Sequence, residues 1–376
     1  MPVVSIVLPS YNGSKYICES IDSILSQTFY DWELIIVNDC STDNTLDIAR
    51  EYAAKDDRIT VINNEVNQKL PASLNIGFRQ AKGKYLTWTS DDNIYKPSAL
   101  KEMYEFLECN HHYKMVCCDM DIIDSDGNVT GVHNSFDSTY MYYNNCVGAC
   151  FMYHREVLDT VGEYNLDKFG VEDYDYWLRI MRCYCEIGHL SKNLYYYRVH
   201  DGSLTATKRI LIRQQLLNLW YENLEWNLKG IKNRIDLLWL MYYNFYSVEH
   251  NINMKEVCIK FSNYIPVNNL ICSNNISSND KFVIFGAGYF GKKVKEILAD
   301  KVVCFIDNNE DLVDKSLCGI KIIHSSKINE ISFSYKIIIA VSPENIMEVY
   351  KSIDIAHKKN IVICHEFLGK ELFLQN

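Results

Sequence analysis

The stretch Lys84-Tyr-Leu-Thr-Trp-Thr-Ser-Asp-Asp-Asn93 constrains this chain more than any other. It opens on β-forming residues and stops at two adjacent carboxylates, Asp91 and Asp92, with a helix-start signal at Lys96-Pro97 behind them. A buried strand that releases paired acids at its C-terminal end delivers them to the crevice where open α/β sheets bind ligands. Acids placed so suit a hard divalent cation such as Mg²⁺, which takes one or two carboxylates and fills its other positions with phosphate oxygens and water. An isolated Asp-Asp is more often a solvated turn. The strand ahead of it and the order of elements around it decide against that reading here.

The chain has 376 residues, enough for two or three domains with separate cores. A net charge of −10 offers no basic field to a phosphate backbone, which excludes a nucleic-acid partner. The fourteen cysteines show neither a paired framework nor a C-x-x-C, so reduced thiols are expected. No basic region followed by an apolar run opens the chain, and Ile235 to Tyr246 is too short to span a bilayer. The expectation is a cytoplasmic protein able to lie peripheral to the inner face of a membrane.

Val3 to Leu8 reads as a short buried strand closed by Pro9-Ser-Tyr-Asn-Gly13. Ile17, Ile21, Ile24 and Leu25 then form a helical stripe. Trp32 to Val37 is a second strand, ending in Asn38-Asp39-Cys40-Ser41-Thr42-Asp43, where Ser41 or Thr42 can cap a helix over 44–54. Ile59 to Ile62 is a third strand, 71–81 a third helix, and the acid-bearing strand the fourth. This alternation predicts a largely parallel sheet with right-handed crossovers and a ligand site at its carboxyl edge. Beyond it, 115–123 and 128–132 flank Asp126-Gly127 as a hairpin, and 147–152 reads as another strand. In Phe169-Gly-Val-Glu-Asp-Tyr-Asp-Tyr-Trp-Leu-Arg179, acids open an aromatic helix, where they also complement its dipole.

Val4-Ser-Ile-Val-Leu-Pro-Ser-Tyr-Asn12, the Asn38 to Asp43 turn, Leu70-Pro-Ala-Ser-Leu-Asn75 and Thr87 to Asn93, in that order, resemble the family 2 glycosyltransferases over residues 1–205. Those are inverting enzymes of the GT-A fold, with a mixed sheet, that use nucleotide-sugar donors. The resemblance implies a donor pocket of Pro9, Tyr11, Asn12, Asp39, Asn75 and Asp91, with Asp39 accepting from base or ribose and Asp91 facing the ribose. It implies Asp92 as ligand of a Mn²⁺ or Mg²⁺ that bridges the diphosphate, and Asp173, with Glu172 beside it, as the base that deprotonates the acceptor. Tyr195-Tyr-Tyr-Arg-Val-His-Asp-Gly-Ser203 matches the segment that ends the family's catalytic domain, which places His200 at the metal and Arg198 at the diphosphate. Two departures stand out: many relatives carry Asp-Asp at Asn38-Asp39 and Asp at Thr89, so base preference and metal ligation are both altered. The implied partners are a UDP-sugar and a glycan or lipid-linked acceptor in surface polysaccharide synthesis.

Residues 206–277 read as a helical linker region. Leu217, Trp220, Leu224, Leu228, Ile231, Ile235, Leu238, Tyr242 and Phe245 make a stripe suited to a core or to a homo-oligomer face, and 271–280 is rich in Asn and Ser. Residues 278–376 read as a small Rossmann-like α/β domain. A strand runs into Gly286-x-Gly288-x-x-Gly291, a helix follows, and Asp307 ends the next strand where a ribose-binding acid would stand. This turn is a candidate second nucleotide site for NAD(P) or another nucleotide. Tyr289 and Lys293 match a Tyr-x-x-x-Lys spacing by chance, inside the turn and its helix. The alternatives to a transferase are a nucleotide-sensing scaffold with a degenerate transferase domain and a sugar-nucleotide-modifying enzyme using the C-terminal module. A sugar nucleotidyltransferase is disfavoured because Pro9 to Gly13 is not a glycine-rich phosphate loop.

Overall fold

The computed structural model describes residues 1–133, 137–246, 252–264, 269–271, 279–332, 334–340, 349, 353 and 362–364. The chain divides into two units, Met1–Leu219 and Trp220–Asn376.

The first unit opens with β1 (Val4–Ser10), α1 (Ile17–Leu25), β2 (Trp32–Asn38), α2 (Thr45–Ala53), β3 (Ile59–Asn63), α3 (Lys69–Gln80) and β4 (Tyr85–Trp88). These strands stand in the order β3-β2-β1-β4, all parallel, as the alternation predicts. β1 is buried along its whole length and β2 at six of seven positions, because helices cover both faces. Ile17, Ile21 and Ile24 of α1 are fully buried against Val4, Ile6, Leu8 and Trp32.

Past the acidic turn come β5 (Ile94–Tyr95), α4 (Ala99–Cys109), β6 (Met115–Ile123), β7 (Val129–His133), β8 (Phe151–His154), α5 (Arg155–Val161), α6 (Glu172–Tyr184) and β9 (Gly188–Arg198). They extend the sheet as β4-β8-β6-β9-β5, with β8 antiparallel to both β4 and β6, β9 parallel to β6, and β7 antiparallel to the far half of β6. The sheet is therefore mixed and nine-stranded. The expected strand at 147–152 lies instead at Phe151–His154, because Gly148 turns the chain with φ 73°. β9 and the short β5 were not read from the sequence. α7 (Leu204–Thr207) and α8 (Arg209–Glu222) follow, and α8 crosses the division between the units.

The second unit continues through α9 (Leu224–Gly230), α10 (Ile235–Tyr246) and α11 (Met254–Ser262). Of the predicted stripe, Leu217, Trp220, Leu224, Leu228, Ile231, Leu238, Tyr242 and Phe245 are all buried. They form core, the first of the two uses such a stripe suits. The Asn- and Ser-rich stretch falls mostly on 272–278, outside the described residues. β10 (Asn269–Ile271) pairs with β16 (Val362–Cys364). Between them lie β11 (Phe282–Phe285), α12 (Tyr289–Leu298), β12 (Val302–Asp307), β13 (Ser316–Leu317), β14 (Ile320–His324) and β15 (Lys336–Ile339). Their sheet runs β13-β14-β12-β11-β15, parallel except at β13.

The close seating of α3 on β1 yields a test. A Cβ at Gly77 would run into Val7 Cγ1, with Val37 Cγ2 at 3.2 Å. Gly77→Ala gains roughly 1 kcal/mol of helix propensity but overpacks a buried contact at about 1–3 kcal/mol. Its thermal midpoint should fall below that of the parent; an equal or higher midpoint would show that α3 can lift off the sheet without cost.

Candidate active site

The carboxyl ends of β1, β2 and β4 open on one crevice, and its loops are knotted by side chains. Asn12 donates its backbone N–H to Ser41 Oγ at 2.9 Å and accepts the Thr42 N–H on Oδ1 at 2.8 Å. Asp39, buried at the end of β2, accepts Asn64 Nδ2 and the Gln68 N–H on one oxygen, and the Lys69 N–H on the other, each at 2.8 Å. Asn12, Cys40 and Lys69 hold positive φ of 55°, 61° and 70°. Left-handed non-glycine residues gathered at one crevice are strain of the kind that functional sites store. Pro9 is buried at the end of β1, while Tyr11 stands exposed on the rim. Burial works to raise Asp43, yet hydrogen bonds from Thr45 and Ser14 outweigh it and hold the carboxyl down at about 2.

Asp91 and Asp92 lie in the turn after β4, as the sequence predicts, but face different neighbours. Asp91 accepts a hydrogen bond from the Ser10 hydroxyl. Desolvation, partly offset by that bond and joined by the neighbouring Asp92 charge, pushes its carboxyl up to about 7. Gly13 is what lets the first loop pass here: a Cβ on it would collide with the Asp91 carboxylate and approach Ser10 Oγ to 2.7 Å. Asp92 Oδ2 meets His200 Nε2 at 3.1 Å, and the imidazole leans on the Tyr16 ring with centroids 5.1 Å apart. A half-buried carboxylate beside an imidazole fits a divalent cation whose remaining positions come from phosphate and water. Among the described residues, no group of three or more His, Cys, Asp and Glu could hold a metal without such help.

Arg198 is not where a diphosphate ligand would stand. Its side chain is 1% exposed; Nε donates to the Asp92 carbonyl at 2.9 Å, one terminal nitrogen to the Ser125 carbonyl at 3.1 Å, and the other to Glu19 Oε2 at 2.6 Å. The guanidinium lies over the Tyr16 ring, and the Arg198 N–H donates to Asn93 Oδ1 at 2.8 Å. These bonds lock the turn that presents Asp92. Asn75, expected in the donor pocket, is buried on α3 and spends both ends of its amide on the Tyr164 backbone at 2.8 Å.

Glu172 and Asp173 open α6. Glu172 is buried and accepts the Gly170 N–H at 2.5 Å. Asp173 keeps some solvent contact, accepting Asn145 Nδ2 at 2.8 Å and the Tyr174 N–H at 2.6 Å. Asn145 is itself oriented by the Val147 N–H on its Oδ1 at 3.2 Å. Desolvation raises both carboxyls above the ordinary carboxylate range; at Glu172 the Asp173 charge adds to it, and at Asp173 the Tyr174 and Asn145 hydrogen bonds work against it. Burial raises the Tyr197 phenol; the Thr205 side chain works against it, and the Asp92 and Asp173 charges add to it. Ser10, Asn145 and Tyr197 were assigned no role from the sequence.

In the second unit, Gly286 turns the chain at φ 108°, and a Cβ on Gly291 would strike the Gly286 carbonyl. Gly288 faces open space. Asp307 accepts the Ala287 N–H at 2.7 Å and the Asn309 N–H at 2.9 Å. The side chains of Tyr289 and Lys293 are outside the description.

The sequence pattern of the family described as Glycosyl transferase family 2 matches residues 5–162, and that of the family described as C2185-like, N-terminal, matches 278–361. The chain is 31% identical over 222 residues to the UDP-Glc:alpha-D-GlcNAc-diphosphoundecaprenol beta-1,3-glucosyltransferase WfaP of Escherichia coli, a match that spans 57% of this chain and 84% of that one. Among solved structures it is similar to S. aureus TarS 1–349 in complex with UDP-GlcNAc, at 20% identity and a TM-score of 0.52, over 71% of this chain and 80% of that one. It is also similar to the mannosyltransferase PcManGT from Pyrobaculum calidifontis in complex with GDP-Man and Mn²⁺, at 18% identity and a TM-score of 0.50, over 65% of this chain and 72% of that one. At these identities the two structures bear on the fold alone.

The placement of Arg198 separates two roles by experiment. Arg198→Gln strips donors from part-buried carbonyls and leaves Glu19 without its cation, each lost bond costing about 1–3 kcal/mol at most. The variant should therefore melt several degrees lower with no ligand present. A residue that only binds diphosphate would leave the ligand-free midpoint unchanged.

Proposed function

Since this chain belongs to glycosyltransferase family 2 and is a transferase, with the GT-A fold in its first unit, we propose that it moves a sugar with inversion from a nucleoside-diphosphate donor, a UDP-sugar, to a hydroxyl of a lipid-linked glycan. The observation that carries this reading is the Asp92–His200 pair at 3.1 Å in the turn after β4, with Asp173, a raised carboxyl held by Asn145 at 2.8 Å, at the start of α6. The nucleotide-sugar donors bound in the two similar structures, and the diphosphoundecaprenol-linked acceptor named for the Escherichia coli relative, support the substrate classes.

Asp173 accepts the proton of the acceptor hydroxyl, and that oxygen attacks the anomeric carbon from the face opposite the diphosphate. One C–O bond forms as the bond to the diphosphate breaks, so the configuration inverts. Asn145 holds Asp173 in the charged form that takes the proton, and Glu172, turned onto the Gly170 N–H, supports the turn. Asp92 and His200 would hold Mn²⁺ or Mg²⁺, which supplies positive charge to the departing diphosphate. Asp91, Asp39, Asn12, Pro9 and Tyr11 form the donor side of the crevice. For the second unit we propose a nucleotide-binding-type domain of Rossmann-like strand order, folding apart from the catalytic one, with the open space at Gly288 as the place where a phosphate would fit.

Asp92→Ala should abolish the metal-linked gain in affinity for a nucleoside diphosphate, read by calorimetry with and without Mn²⁺; an unchanged gain would remove Asp92 from the metal site.

Transfer requires Asp173 unprotonated, and burial raises its carboxyl, so activity is lost on the acid side as pH falls through that raised value. Asp173→Asn should keep donor affinity and lose transfer by on the order of 10²-fold or more. Asn145→Ala removes a bond that favours the charged form, so the acid limb of the kcat/KM profile should move to higher pH. A limb that stays in place would mean another group is the base.

A further inference from the structure

We infer that the segment Lys208 to Arg213, at the start of α8, is the surface by which this enzyme docks on an anionic bilayer to meet its acceptor. The inference rests on the reading of a lipid-linked acceptor given above. Residues 202–221 carry Lys208, Arg209 and Arg213 and no acid, within a chain of net charge −10. Among them Ile210 is 77% exposed, a large apolar side chain turned to water between exposed cations. An exposed apolar residue flanked by Lys and Arg suits the boundary of headgroups and acyl chains, where the cations meet lipid phosphates and the apolar group enters the interface.

The patch is fastened to the acceptor side of the crevice. Ile212 packs on Gly170, so closely that a Cβ there would approach Ile212 Cγ1 to 2.9 Å, and Gly170 donates to Glu172 in the turn that leads into Asp173. In the other direction the chain runs back from α8 through α7 to His200, whose Nε2 meets Asp92 Oδ2 at 3.1 Å. None of the described helices is long and apolar enough to cross a membrane. A hydroxyl on a lipid-anchored glycan must then be met at the bilayer surface, and the patch that is both basic and apolar lies beside the proposed base.

The test uses the full chain with vesicles of phosphatidylcholine, with or without phosphatidylglycerol, in a sedimentation assay. The parent should bind the anionic vesicles and not the neutral ones. Lys208→Glu/Arg209→Glu should weaken that binding by roughly tenfold or more, since each cation near an anionic surface is worth about a factor of five, and Ile210→Ser should weaken it too. Slow donor hydrolysis in solution should stay at the parent rate in all three, because none of these side chains belongs to the crevice. Absence of parent binding, or equal binding by the variants, overturns the inference. So does a dimer seen in sedimentation velocity that Ile210→Ser abolishes without vesicle binding, since the patch would then be a face for a second copy. If the parent docks through these residues yet transfers only to soluble glycans, the docking surface stands and the lipid-linked acceptor falls.

Discussion

A buried guanidinium sets the geometry on which the candidate site depends. Arg198 ends β9 and gathers the turn of Asp92 and Asn93, the hairpin turn at Ser125, and Glu19 of α1 around one cation. Tyr16 lies beneath it, and the same ring supports His200. The planar fork of arginine is what permits this, since it donates in several fixed directions at once where a lysine would offer a point charge. Glu19 keeps the other half of the ion pair half-exposed, so the desolvation cost falls mainly on the guanidinium, which the carbonyls repay. The Asp92–His200 pair is thus fixed by a residue whose donors are spent on the protein itself.

The parts of the fold that local chemistry determines were legible in the sequence. The first three strands and helices alternate with clear periods, and the Asp126-Gly127 turn forms as its residues require, with Gly127 at φ 89°. β9 was not legible. It pairs with β6 through register shifts around Asp119, and with β5 at its far end, so its burial follows no simple alternation. Placement in the chain likewise put the acids at the crevice, but direction could not be read. Arg198 is two residues from His200, yet one turns inward and the other towards Asp92. Asn75 sits in a family-like segment and is spent on Tyr164. Asn145 acts on Asp173 across 28 residues, a contact that no local pattern encodes.

The acids of the crevice are pushed apart by their surroundings, and that separation assigns their work. Hydrogen bonds from Thr45 and Ser14 overcome burial at Asp43, which stays charged and holds the β1 loop. Asp173 has the opposite balance: desolvation leads, and the Asn145 and Tyr174 donors recover only part of it. A carboxyl raised in this way is, once ionised, a stronger proton acceptor than an exposed one, which is what a base for a sugar hydroxyl needs. Glu172 has the stronger burial and is turned onto a backbone N–H, so the more accessible of the two neighbours is the one suited to the chemistry.

Thr89 explains how the crevice tolerates this much negative charge. It is buried, and its hydroxyl meets Tyr195 at 2.5 Å while its N–H donates to the Val7 carbonyl at 3.0 Å. A carboxylate in that position would be a further buried charge beside Asp91, whose own carboxyl is already pushed up to about 7 by desolvation. The hydroxyl keeps the strand pinned to β9 through Tyr195 without adding to the repulsion. On the proposed reading, cation affinity would then depend on Asp92, His200 and the oxygens of the donor, so metal and donor should bind as one unit, each weak without the other.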